Sequence, residues 1–306
     1  MTIAATIIPI FIIILVGWVA RQRGFIPDGF FEPANRLVFY LAIPAMVFRA
    51  TSKASLKTDL DARVLTATLA SILIMFLIAW GVGIILRIPH RQRGTFIQNA
   101  FHGNLGYIGL AVAFYYLGAE GFARASIIAS FMMILQNLLS VVGLQVCAGS
   151  GTRTGKRWYM TVKILGNPII LSALAGMFFS LSAAPLPAIL DRSLAILSGL
   201  ALPMALLIIG GSLSFELRHL RAAAVIVAVI IKLVMLPGFG FLLYRYFQFS
   251  VHDYMPGIIL LASPTATVAY VMAKEMGGDS GLAVVAISVS TLLSAVTFVV
   301  WLNIVG

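Results

Sequence analysis

Leu41-Ala42-Ile43-Pro44 and Leu200-Ala201-Leu202-Pro203 share the pattern Leu-Ala-x-Pro, 159 positions apart. The same offset lays Pro9 on Pro168, Gly17 on Gly176, Ser55 on Ser214 and Gly118 on Gly277. Any one match is cheap in a chain with 27 glycines. Two prolines and a shared tetrapeptide at one offset are not, so the sequence reads as an internal repeat.

Composition says what is being repeated. Hydrophobic residues make up 61% of the 306 and charged residues 10%, against about 45–50% and about 25% in soluble domains. Mean hydropathy is +1.04. A surface so poor in charge does not stay in water. Soluble enzymes, nucleic-acid binders, secreted disulfide scaffolds and disordered chains are excluded, and the chain reads as a polytopic membrane protein. The net charge of +11 does not point to nucleic acid. The basic residues stand singly or in small groups between apolar runs, as in the positive-inside pattern. A lone cysteine, Cys147, permits neither an intrachain disulfide nor a Cys-x-x-Cys metal site. Residues 1–20 carry no charge, so the basic start of a signal peptide is missing.

Runs free of Asp, Glu, Lys and Arg delimit the expected spans. They are 1–20, 37–48, 64–86, 94–119, 125–152, 164–190, 193–215, 222–244 (broken only by Lys232), 254–273 and 280–306. Spanning takes about 20 residues, so 37–48 must borrow from Phe31–Arg36 or Arg49–Ser52, or cross incompletely. Thirteen of the 21 Lys and Arg fall in the odd-numbered loops and seven in the even ones. That bias puts the odd loops in the cytoplasm and both termini in the periplasm. The second loop, with Arg49, Lys53, Lys57 and Arg63, is the local exception.

Each half carries five spans. The expected division is a first repeat over 1–148, a cytoplasmic linker over 149–163 and a second repeat over 164–306. Five is odd, so the second half enters the membrane upside down. The fold class expected is an all-α polytopic membrane protein of ten transmembrane helices in two inverted repeats, with broken crossover helices 4 and 9. Inverted repeats suit carriers, whose halves rock between inward- and outward-open states.

The breaks are read from helix-disfavouring residues near mid-span. Helix 4 contains His102-Gly103-Asn104-Leu105-Gly106-Tyr107-Ile108-Gly109, and helix 9 contains Ala262-Ser263-Pro264-Thr265-Ala266-Thr267. Glycine raises the cost of helix, and proline removes a donor and clashes one turn back. Unsatisfied backbone costs several kcal/mol in lipid, so such breaks belong where they line a cavity or pack in protein. The plainer alternative is close helix packing through the glycines and a simple kink at Pro264. At the offset of 159, Asn104 falls on Ser263, and the matched pair favours a crossover binding site. Facing half-helix N-termini favour an anion there, although half-helix carbonyls can also hold a cation.

These residues resemble a known family. Asn35-Arg36-Leu37-Val38-Phe39-Tyr40-Leu41-Ala42-Ile43-Pro44-Ala45-Met46-Val47-Phe48 is similar to the second helix of the auxin efflux carrier family. Gly103-Asn104-x-Gly106-Tyr107-x-Gly109, with Gly118-x-Glu120-Gly121, is similar to its fourth. Gly166-Asn167-Pro168, Leu202-Pro203 and Gly210-Gly211-Ser212-Leu213 resemble the start of its second half. The short central loop is that of the bacterial branch, whose members are often assigned to malonate or similar carboxylates. The resemblance implies ten helices with crossed, unwound helices 4 and 9, and transport of organic anions. It places the substrate pocket on Asn104, Ser263, Thr265 and Asn137, with Gly106, Tyr107, Pro264 and Thr267 beside them.

Other polar residues divide less sharply. Gln136 and Asn137 lie mid-span, where amides often serve as interhelical glue; Asn137 is the better pocket candidate. Ser288, Ser290, Thr291 and Ser294 can bond their own helix backbone. His102 could couple a proton, and Lys232 could act as a counter-charge or only tie down half-helix carbonyls. Glu120 and Glu275 stand at interfacial ends. No span has a carboxylate near its middle, so the acidic pair usual in sodium/proton exchange is missing. The stretch Gly149–Lys156 fails the spacing of a phosphate loop, and no catalytic motif is present.

The reading is a secondary carrier of a small mono- or dicarboxylate in the bacterial inner membrane, and not an enzyme. Expected partners are that organic anion, a proton or sodium ion as coupling species, the lipid bilayer and a second copy in a homodimer. Nucleic acid, cofactors and metals are not expected. The alternatives are a sodium-coupled organic-anion symporter of the bile-acid type and a non-transporting sensor on a transporter scaffold.

Overall fold

The computed structural model describes residues 3–54, 61–147, 166–182, 186–214 and 222–306. The expected linker over 149–163 and the Ser55 half of the Ser55–Ser214 match lie outside them.

Among the described residues every named element is a helix. Its first part runs through α1 (Ile3–Gln22), α2 (Asp28–Leu37), α3 (Ile43–Lys53), α4 (Ala62–Ile85), α5 (His90–Phe101) and α6 (Leu110–Cys147). The rest runs through α7 (Pro168–Leu181), α8 (Ala188–Ser212), α9 (Ala222–Ile230), α10 (Leu236–Tyr246), α11 (Val251–Leu261), α12 (Val268–Glu275) and α13 (Ser280–Val305). Wider π-helical turns join α2 to α3 (Val38–Ala42), lead into α6 (Leu105–Gly109) and join α9 to α10 (Ile231–Met235). Among the described residues, six stretches are long and apolar enough to cross a membrane: Ile3–Gln22, Ala62–Ile85, Leu105–Cys147, Ala188–Ser212, Ala222–Tyr246 and Ser280–Val305. The short run 37–48 sits in a longer helical path from Asp28 to Lys53, which borrows residues at both ends.

Local sequence explains several boundaries. Asn167 caps α7 by accepting from the Ile169 amide at 2.9 Å, with Pro168 at the first helical position. Pro needs no N–H there. Asp61 caps α4 through the Arg63 amide at 2.8 Å. The side-chain hydrogen bond from Arg63 holds the Asp61 carboxyl below the usual carboxylate range. Helix α1 is apolar all round. Ile7, Ile10 and Ile14 are buried against the protein, while Ile8, Ile12, Leu15 and Val16 are exposed, as on a lipid-facing side.

The helices group into two bundles. One packs α1 on α8 and α3 on α7, with α3 also against α8. The other holds α4, α5, α6 and α9 to α13, with α5 packed against α4 and α6, and α11 against α6. In the first bundle glycines bring backbones together. A Cβ on Gly17 would lie 2.2 Å from the Leu207 carbonyl oxygen, and one on Gly210 would lie 1.8 Å from that of Ile14. A Cβ on Gly176 would lie 2.0 Å from Thr51 Oγ1 and 2.9 Å from the Phe48 carbonyl oxygen. Gly17 and Gly176 are 159 apart, and so are Phe48 and Leu207. The Gly17–Leu207 approach of α1 to α8 thus has a counterpart at the same offset in the Gly176–Phe48 approach of α7 to α3.

Gly118 divides α6 with φ 70° and ψ −166°, and Gly277, between α12 and α13, has φ 77°. This is the left-handed region, where a Cβ is disfavoured. These two glycines also stand at the offset of 159.

Candidate functional site

Two helical paths are interrupted where they cross in the second bundle. Helix α5 ends at Phe101, and helical backbone resumes at Leu105. Helix α11 ends at Leu261, and α12 begins at Val268. The two gaps pair antiparallel through a single bridge between Gly103 and Thr265. The Asn104 amide donates to the Pro264 carbonyl at 2.6 Å, and the Ala266 amide donates to the His102 carbonyl at 2.9 Å. Glycine is needed at 103 for contact this close: a Cβ there would lie 2.5 Å from Ser263 Oγ.

Side chains of neighbouring helices and of the gap itself satisfy further backbone groups. Gln136 of α6 accepts from the Gly103 amide and donates to the Phe101 carbonyl, both at 3.2 Å. Ser290 of α13 accepts from the Thr265 amide at 3.1 Å. Thr265 Oγ1 donates to the Asn99 carbonyl at 3.0 Å. Ser263 Oγ donates to the Leu260 carbonyl at 2.7 Å. Lys232, on the π-turn between α9 and α10, donates from Nζ to the Leu261 carbonyl at 2.8 Å. This is the C-terminal end of α11, where the helix dipole is negative. Each bond removes a backbone group that would cost several kcal/mol unpaired at this depth.

Some polar atoms at the crossing have no such partner. Among the described residues, Asn104 Nδ2 and both side-chain amide atoms of Asn99 are buried without a hydrogen bond. Buried polar atoms are nearly always paired, so an orphan in a crossing of this kind points to a ligand or water. Asn104 has its backbone tied to Pro264 and its amide nitrogen idle, which suits a substrate contact.

The remaining predicted residues are spread around this centre. His102 is buried, with Nδ1 2.9 Å from Ser140 Oγ. Tyr107 donates from its hydroxyl to Asn35 Oδ1 on α2 at 2.6 Å, which links the crossing to the other bundle. A Cβ on Gly106 would meet Ile169 of α7 at 3.0 Å. Thr267 precedes α12 without a side-chain cap. Asn137 donates to the Met133 carbonyl of its own helix at 2.8 Å, whereas the adjacent Gln136 reaches the break. Asn99 was missed by sequence reading, because it lies in an ordinary polar turn of α5 with no motif around it.

A cavity of about 470 Å³ lies elsewhere, between α3, the part of α6 around Gly118, and α8. None of the crossover residues lines it. Among the described residues, no group of three or more His, Cys, Asp and Glu side chains is placed to hold a metal.

Membrane-length apolar helices with two interrupted helices crossing in the interior are an arrangement that membrane transporters use. Comparison with known proteins gives the family. Residues 2–302 match the family described as "Membrane transport protein". The chain belongs to that family, the auxin efflux carrier family its motifs resemble. It is 27% identical to an "Uncharacterized transporter" of Methanothermobacter thermautotrophicus, over 97% of this chain and 96% of that protein. It is 25% identical to a protein of Rhizobium meliloti named "Putative malonate transporter", over 96% of this chain and 93% of that protein. An uncharacterized transporter of Methanocaldococcus jannaschii is 25% identical over 95% of each chain. The protein is a membrane transporter and not an enzyme.

Proposed function

We propose that this transporter is a secondary carrier of a small organic anion, a mono- or dicarboxylate, across the bacterial inner membrane by alternating access. The observation that carries the reading is the idle Asn104 amide at the crossing of two broken helices. A carboxylate is the ligand such a place suits. It accepts hydrogen bonds from an amide, and it faces the positive ends of the half-helices that start after each gap. The name of the Rhizobium meliloti relative makes malonate the first substrate to try.

The proposed topology is ten spans in two inverted repeats of five, each half carrying one broken helix. The Gly17–Leu207 and Gly176–Phe48 approaches support it, since one becomes the other under the offset of 159. So do the paired left-handed glycines Gly118 and Gly277. The bridge between the gaps agrees as well. The offset carries the pair 103 and 265 onto 262 and 106, which lies on the same antiparallel register.

Counterflow of labelled malonate in proteoliposomes tests the carrier reading. Exchange should saturate and should need unlabelled malonate on the far side. A stabilised but non-exchanging protein would be a sensor, and flux that requires sodium would make it a symporter. Topology is tested with cysteines at positions 2 and 153 in a Cys147→Ala background; both positions lie outside the described residues. An impermeant thiol reagent added to intact cells should label Thr2→Cys and spare Arg153→Cys. Labelling of Arg153→Cys from outside would overturn the orientation.

Lys232 is proposed to give the crossing a positive charge while it ties down α11. An intramembrane cation costs at least about 2.5–3.5 kcal/mol, so it is placed where the interior uses it. Lys232→Met should destabilise the protein by roughly 1–3 kcal/mol, because the Leu261 carbonyl loses its donor. It should also weaken anion binding. Lost stability with unchanged anion affinity and pH profile would leave Lys232 as a tie alone.

A further inference from the structure

The cavity of about 470 Å³ has a charged mouth that the crossover does not use. Arg49 and Lys53 stand four residues apart on α3, and so on one face of it. Both reach Asp191 in the first turn of α8. Arg49 Nε lies 2.7 Å from Asp191 Oδ1, and Nη2 lies 3.3 Å from Oδ2. Lys53 Nζ lies 2.7 Å from Oδ1. Asp191 is thus held by a two-pronged guanidinium and an ammonium, the arrangement a free carboxylate would take. Two cations against one carboxylate leave the mouth net positive. Asp191 itself stands just outside the lining, and the carboxylate in the wall, Glu120, is already bonded to Arg124 at 2.8 Å.

The cavity leads inward from this cluster. Its lining includes Met46 of α3 and Leu202 and Pro203 of α8, so it reaches the Leu-Ala-x-Pro segment of α8. Its third wall is α6 on both sides of Gly118, which belongs to the other bundle. The size falls within the roughly 300–1,000 Å³ of small-molecule sites. The Arg49, Lys53 and Asp191 side chains are 36%, 49% and 25% exposed. Ion pairs this wet are weak, so an incoming anion can displace Asp191 at little cost.

We propose that this cleft is an antechamber for carboxylates, in which Asp191 is a tethered substitute for the substrate. An arriving carboxylate takes the place of Asp191 on Arg49 and Lys53 before it moves inward. The proposal rests on the organic-anion reading above, and it adds a second site that the crossover residues do not form. In the proposed topology the cleft faces the periplasm, because Lys53 leads into the second loop.

The test reads occupancy at the cleft itself. Ser198 lines the cavity, so Ser198→Cys in a Cys147→Ala background places a thiol in its wall. An impermeant maleimide added outside should label that thiol, and malonate should slow the labelling, against chloride at equal ionic strength. Adding Asp191→Asn should lower the half-protecting malonate concentration about fivefold, because the tethered competitor is gone. Adding Arg49→Gln should raise it at least tenfold. Arg49→Lys keeps the charge and loses the two-pronged geometry, so it should fall between. Half-protecting concentrations within twofold of the parent in both Asp191→Asn and Arg49→Gln would overturn the antechamber. Counterflow separates this from the carrier reading. Protection in the expected order without malonate counterflow keeps the antechamber and removes the carrier; counterflow without protection does the reverse.

Discussion

Gly210→Ala should cost the protein about 3 kcal/mol or more, read as a large fall in apparent melting temperature and in the yield of monodisperse protein. The added Cβ would lie 1.8 Å from the Ile14 carbonyl oxygen and 2.9 Å from the Trp18 amide nitrogen. Those are backbone atoms of α1, so no side-chain rotation relieves the clash. The helices must separate, and overpacking in a tight interior costs typically 1–3 kcal/mol, occasionally more. Gly81→Ala on α4 is the control. Its Cβ would meet nothing within 4 Å, so helix propensity alone should apply, a gain of up to about 1 kcal/mol. Equal melting temperatures for the two variants would show that α1 and α8 do not pack as described.

Asn104→Ala should lose most transport while the protein still folds and inserts. The side-chain nitrogen of Asn104 has no acceptor among the described residues, so its removal strands no donor-bound carbonyl. A lost hydrogen bond to a charged ligand is worth roughly 1–3 kcal/mol, or about 5- to 150-fold in affinity. Thr265→Val offers the contrast. It should lose transport and stability together, because Thr265 Oγ1 is bonded to the buried Asn99 carbonyl. Malonate affinity at the wild-type level in Asn104→Ala would remove Asn104 from the site.

Much of this was legible in the sequence because lipid makes composition informative. The long charge-free runs coincide with α1, α4, α8, the α9–α10 path and α13, where little but apolar side chains fills a membrane-length helix. The gaps were legible too, since Gly103 and Pro264 act on their own backbone. What needed three dimensions was the choice of partner. Gln136 and Asn137 are neighbours of similar chemistry, and only their direction around α6 decides which reaches the Gly103 amide. Lys232 was visible as a charge in a span, but its acceptor, the Leu261 carbonyl, lies 29 residues away. Arg49 and Asp191 are 142 residues apart. Their local trace was an excess of positive charge in the second loop, against the expected bias. The run 37–48 was too short because charge alone sets a poor boundary. Asp28, Glu32, Arg36, Arg49 and Lys53 all sit on the helical path that extends it.

The stitched crossing has a mechanical consequence. The Asn104 amide and Pro264 carbonyl, and the Ala266 amide and His102 carbonyl, hold each other across the two gaps. Pulling one broken helix from the other would strand all four groups away from water, at several kcal/mol each. The crossing therefore acts as a rivet. Helices α5 and α11, although 150 residues apart at Phe101 and Val251, are thereby fastened to each other. A load on one broken helix is therefore shared by the other.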